Sequence, residues 1–111
     1  MTSKSPSTTN KKLRTTSKLP PIHPGEILKE TLGDLGLSMN RLSQEIRVPA
    51  NRISAIIAGQ RSVTGETALR LARYFGTTPA YWMNIQARFD LETAEDVPAR
   101  QIKKIASCGG V

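Results

Sequence analysis

The chain has 111 residues, with sixteen Lys+Arg against nine Asp+Glu, a formal net charge of +7 and a sequence pI near 10.1. That length holds one modest domain and leaves hardly any room for a second hydrophobic core. With Cys108 as the one cysteine and His23 as the one histidine, a disulfide framework and a soft-ligand metal cluster are excluded, and no apolar run approaches the roughly 20 residues of a membrane-spanning helix.

The charge is unevenly placed. Residues 1–21 carry Lys4, Lys11, Lys12, Arg14 and Lys18 with no acid, which is +5, while residues 22–111 carry eleven bases and nine acids, which is +2. The first segment is rich in Ser, Thr, Lys and Pro, with Leu13 and Leu19 as its large apolar residues after Met1. It cannot bury enough surface to offset the entropy of ordering it, so residues 1–21 are expected to form a disordered basic tail. A solvated extension is the first reading of that tail, and a basic arm lying on nucleic acid phosphates is the second. Its composition superficially matches an organelle transit peptide, but it lacks the apolar segment of a secretory signal, and a cytoplasmic location is expected.

From Ile22 onward the punctuation is helical and no window alternates with period two, so the body is expected to be all-α. Pro24 suits a first helical position and Gly36 the position past a helix end; Ile27, Leu28, Leu32 and Leu35 make an apolar stripe between them. Ser38 caps a second helix of about two turns, with Met39, Leu42 and Ile46 recurring before the break at Arg47-Val48. Pro49 opens a third helix as its N1 residue, running to Ala58 with Ile53, Ile56 and Ile57 as its apolar face and Gly59 ending it. Thr64 caps a fourth, burying Ala68, Leu71, Ala72 and Phe75 and stopped by Gly76; Thr78-Pro79 starts a fifth that reaches about Leu91. Residues 22–92 then form one domain, and 93–111 a short extension in which Pro98 to Ala106 makes a basic helix with Ile102 and Ile105 on one side.

Helices two and three have the spacing of a helix-turn-helix. Leu42 and Ile46 face the core, Val48 plugs the turn, Ile53 and Ile56 fix the second helix steeply against the first, and small Ser43 leaves room for the crossing. Such geometry projects the N-terminal half of the third helix outward, where it can enter a DNA major groove. Candidate base-reading residues are Ala50, Asn51, Arg52, Ser54 and Ala55, with Ala58 at the far end. Asn51 can pair bidentately with adenine, Arg52 with guanine or a phosphate, and the alanines can meet a thymine methyl. Ser38, Asn40 and Arg41 at the start of helix two, with Gln60, Arg61, Ser62 and Thr64, are placed to bind the sugar-phosphate backbone. From Leu37 to Val63 there are Arg41, Arg47, Arg52 and Arg61 against Glu45 alone, which is +3. The remaining acids are expected away from this face.

Residues from about Ile22 to Leu91, about two-thirds of the chain, resemble a lambda-repressor-like (XRE-type) DNA-binding domain, and more narrowly the HigA-type antitoxins, also called plasmid-maintenance or VapI-like proteins. The resemblance rests on His23-Pro24-Gly25-Glu26 with Leu28, Asn51-Arg52-Ile53-Ser54, Gly59-Gln60-Arg61-Ser62-Val63-Thr64, Ala68 to Ala72, Phe75-Gly76-Thr77, and Tyr81-Trp82 to Gln86. It implies a five-helix domain in a dimer that represses its own operon at a palindromic operator and neutralises a small mRNA-cleaving toxin of the HigB/RelE-like class. It also implies base reading by residues 49–58 and phosphate contacts centred on Arg61 and the start of helix two. Arg47 departs from the pattern by standing in the turn slot usually given to Gly, and the first 21 residues have no counterpart in short family members.

Tyr81, Trp82, Ile85 and Phe89 lie at helical spacing. Such a stripe suits a core, but on a fifth helix added to a compact four-helix unit it is read as a homodimer interface. Glu26, Glu30 and Asp34 on helix one read as a solvated face, with nucleic acid mimicry as the sharper alternative. His23 reads as a residue at a helix cap and Cys108 as an exposed thiol. With no Ser-His-Asp set, phosphate-cradling Gly loop or paired catalytic carboxylates, no enzyme activity, cofactor or metal is expected. A solitary XRE-type regulator without a toxin, and an RNA-binding or protein-binding helical module, are the alternative readings.

Overall fold

The computed structural model describes residues 20–94 and 99–109, which form six α-helices and no strand. They are α1 (Pro24–Leu35), α2 (Met39–Ile46), α3 (Ala50–Ile57), α4 (Gly65–Phe75), α5 (Pro79–Ala94) and α6 (Ala99–Lys103). The expected all-α class is what is observed. The basic tail lies outside the described residues as far as residue 19, and so does Pro98 at the expected start of the last helix.

Local chemistry accounts for most of the boundaries. His23 is the N-cap of α1: its Nδ1 accepts the Gly25 amide N–H at 2.8 Å, and its own N–H donates to Glu26 Oε2 at 3.2 Å. This reciprocal capping box satisfies two backbone donors that the helix cannot pair internally. Ser38 caps α2 by accepting the Arg41 N–H at 3.0 Å. Gly76 ends α4 in the left-handed region at φ 76°, where the Thr77 N–H closes back on the Ala72 carbonyl at 3.1 Å.

Three boundaries differ from expectation. Pro49 is the N-cap of α3 and not its first helical residue: its backbone is extended at ψ 143°, and its carbonyl accepts the Arg52 N–H at 3.0 Å. Helix α5 runs three residues beyond Leu91, to Ala94, and α6 is only five residues long, with Ile102 and Ile105 exposed.

One core joins the first five helices: Leu28 and Leu32 from α1, Leu42 and Ile46 from α2, Val48 from the turn, Ile53 and Ile56 from α3, Val63 from a loop, Ala68, Leu71 and Ala72 from α4, and Trp82 from α5. Leu28, Leu42, Ile53, Ile56 and Leu71 are wholly sealed, and each contributes about 1.5–3 kcal/mol relative to exposure. Apolar residues of the expected helices also lie outside it: Leu35, Met39, Tyr81 and Leu91 are exposed. Leu35 edges an open groove of about 340 Å³ shared with Phe75, Thr77, Tyr81 and Trp82.

The start of α1 meets the end of α3 backbone to backbone. A Cβ at Gly25 would stand 1.9 Å from the Ile56 carbonyl oxygen, so only glycine permits this crossing. Trp82 is packed beside Phe75 and Tyr81, and its indole N–H donates to Thr77 Oγ1 at 2.9 Å. At 2% exposure it is a core residue of the chain. The indole completes the junction between α4 and α5 and leaves little of its surface open to the expected interface.

Candidate nucleic-acid interface

The turn between α2 and α3 consists of Arg47, Val48 and Pro49. Arg47 adopts φ 62°, alone among the described non-glycine residues in having a positive φ. The turn slot thus keeps the left-handed conformation that glycine favours, but an arginine carries it. Val48 turns inward, with 8% exposure, and its N–H donates to the Ser43 carbonyl at 3.0 Å. Ser43 is buried where the two helices cross, with its hydroxyl donating to the Asn40 carbonyl at 2.7 Å.

With Ile53 and Ile56 in the core, the opposite side of α3 faces solvent. Ala50, Asn51 and Ser54 are exposed there, and Ala58 is exposed past its end; Ala55 is half-buried. Arg52 is drawn aside. Its side chain is 21% exposed, and Nη1 lies 3.8 Å from Glu66 Oε1 on the first turn of α4. Its Nε is buried with no hydrogen-bond partner, a state that normally costs stability. Glu66 is therefore beside this face, against the expectation that all acids but Glu45 lie away from it, because the first turn of α4 brings its carboxylate within reach of the Arg52 guanidinium.

The candidate phosphate contacts fall into two groups. Ser38, Asn40 and Arg41 sit at the start of α2, all exposed, with Arg41 Nε paired to Glu45 Oε2 at 2.7 Å. Gln60, Arg61 and Ser62 are exposed in the loop after α3, and Thr64 at the start of α4 places its hydroxyl 3.4 Å from that of buried Thr67. Between them Val63 is buried, and its N–H donates to Gln86 Oε1 at 2.8 Å. Along the candidate dimer stripe Tyr81 is 44% exposed, while Ile85 and Phe89 are half-buried. Phe89 meets the His23 ring edge-on, centroids 4.8 Å apart, so part of that stripe also covers the cap of α1.

Two interactions carry the geometry without having been legible. Gln86 anchors the loop that presents Arg61; the Trp-x-x-x-Gln spacing marks it, but its partner is 23 residues away. Arg70 on α4 donates from Nη1 to the Ile46 and Arg47 carbonyls at 2.8 and 3.4 Å. Its pairing with Glu66 at i, i+4 is readable on a helix; its reach to the turn is not.

Residues 28–82 match the family model described as Helix-turn-helix. Virulence-associated protein I of Dichelobacter nodosus is 46% identical over 80 residues, covering 71% of this chain and 74% of that protein. The structure of an addiction module antidote protein of the HigA family from Coxiella burnetii is similar at a TM-score of 0.76 and 47% identity, covering 80% of this chain and 98% of that one. Pseudomonas aeruginosa antitoxin HigA, solved with the higBA promoter, matches at a TM-score of 0.74 and 36% identity, covering 81% of this chain and 99% of that one. With that extent of likeness, and with the helix-turn-helix in place, the chain belongs to the XRE-type helix-turn-helix family, among the HigA-type antitoxins.

Proposed function

We propose that this chain is a sequence-specific DNA-binding antitoxin: a homodimer that represses its own operon at a palindromic operator and neutralises an mRNA-cleaving toxin of the HigB/RelE-like class. The observation that carries the DNA reading is the α3 face, where Ala50, Asn51 and Ser54 are exposed while Ile53 and Ile56 on the same helix are wholly buried. A helix anchored that way presents short polar and methyl groups to base edges in the major groove. Asn51 reads an adenine, Ala50 and Ala55 meet thymine methyls, and Ser54 adds a hydroxyl. Arg52 reaches a base or phosphate by leaving Glu66. Ser38, Asn40 and Arg41 on one side, and Gln60, Arg61, Ser62 and Thr64 on the other, set register on the two backbones.

The likeness to an antitoxin solved with its promoter supports this assignment. In the dimer, Tyr81 with Ile85 and Phe89 supplies the contact, and two-fold symmetry places the half-sites about 34 Å apart. The chain acts by binding and needs no cofactor.

The test is fluorescence anisotropy on DNA from immediately upstream of the coding region, with wild-type and Asn51→Ala proteins, alongside co-expression with the product of the adjacent gene. Specific binding lost on Asn51→Ala, and a stable complex that silences mRNA cleavage, support the proposal. Equal binding by both proteins overturns base reading by α3; absence of any complex overturns the toxin half and leaves a solitary regulator.

A further inference from the structure

The turn that aims α3 is held by a residue from outside the motif. A side chain at φ 62°, as on Arg47, is disfavoured because its Cβ crowds the adjoining carbonyl. Arg70 compensates from α4. Its Nη1 donates to the carbonyls of Ile46 and Arg47, which are the last residue of α2 and its cap. Such carbonyls have no partner within the helix and sit at its negative end, so a guanidinium there is favoured twice over.

The other edge of the fork is fixed too. Arg70 Nε and Nη2 donate to Glu66 Oε2 at 3.2 and 3.0 Å, and Glu66 Oε1 faces Arg52 Nη1 at 3.8 Å. A single carboxylate-guanidinium pair on α4 therefore touches both the turn before the recognition helix and an arginine on that helix.

We infer that Arg70 is a positioning residue for DNA recognition, holding the left-handed Arg47 turn in the role that glycine would fill unaided, with Glu66 orienting it. The inference rests on the proposal that α3 reads DNA. It assigns Arg70 no contact with DNA.

The experiment is a double-mutant cycle of wild type, Arg70→Ala, Arg47→Gly and the combination, with Arg70→Lys as the conservative variant. Thermal unfolding is measured without DNA, and affinity for the upstream DNA is measured across a salt series. Arg70→Ala lowers Tm by several degrees and weakens DNA binding about tenfold, with an unchanged salt slope, since no phosphate contact is lost. Adding Arg47→Gly recovers most of both losses, and Arg70→Lys falls between. Additive Tm changes in the cycle, or unchanged Tm and affinity in Arg70→Ala, overturn the inference. So does a slope that falls by about 0.9, because that marks a phosphate ligand. Failure of the wild-type chain to bind DNA overturns the functional proposal instead, and the DNA-free cycle still decides whether Arg70 holds the turn.

Discussion

Gln86 on α5 accepts the Val63 N–H at 2.8 Å and donates to Asp90 Oδ1 at 2.9 Å, so one buried amide side chain pins the loop that carries Gln60, Arg61 and Ser62. Gln86→Leu keeps the volume but leaves the Val63 N–H unpaired in the core. It is expected to lower unfolding stability by about 1–3 kcal/mol, read by urea denaturation; a stability equal to wild type would show that the loop is held by packing alone.

Gly25→Ala tests the backbone contact between α1 and α3. The added methyl falls 1.9 Å from the Ile56 carbonyl oxygen, and backbone cannot swing away as a side chain would. Overpacking of this kind costs about 1–3 kcal/mol or more, which for a domain of this size lowers Tm by at least about 4 °C. Calorimetry checks it, with Gly33→Ala as the control, since a Cβ there meets open space.

On α3 and the following loop, two substitutions separate reading from holding. Asn51→Ala should weaken binding to the native site by about 1–3 kcal/mol and narrow the gap between native and mutated sites. Arg61→Ala should weaken all sequences alike and make the salt slope shallower by about 0.9. Both residues are exposed, so Tm should stay within about 2 °C of wild type.

Trp82 and Tyr81 are neighbours in opposite environments, the first buried and the second exposed. Trp82→Ala opens a cavity in the core and gives up the Thr77 hydrogen bond, at an expected loss of about 3–5 kcal/mol in unfolding stability. Tyr81→Glu places a charge on an exposed face. It should leave the protomer folded and shift native mass spectra from dimer toward monomer; a dimer of undiminished stability would move the interface elsewhere.

The helix-turn-helix was readable because its determinants are close together. The cap at Ser38, the recurrence of Leu42 and Ile46, and Ile53 with Ile56 all act within a few residues, and the structure places each as that spacing requires. The apolar residues at helix ends were less readable. Leu35 continues the apolar stripe of α1 but is exposed, because a stripe states which way a side chain points and not whether another element covers it. For Arg52, its place on α3 was legible, but its turn toward Glu66 depends on where the tertiary fold sets the first turn of α4.

The all-helical class, the helix order, the two-helix motif and the location of the charge were legible in the residue order alone, since periodicity, caps and composition are local properties. The residue order also shows that most of the net charge of +7 belongs to residues 1–21 and not to the candidate reading face. The packed helices were needed to show that Trp82 is core, that Gly25 admits the α3 backbone, that Gln86 pairs with the Val63 N–H and that Arg70 donates to the Ile46 and Arg47 carbonyls. The last three of these contacts join residues more than twenty positions apart, and their distances follow from the angles at which the helices cross, which no local pattern specifies.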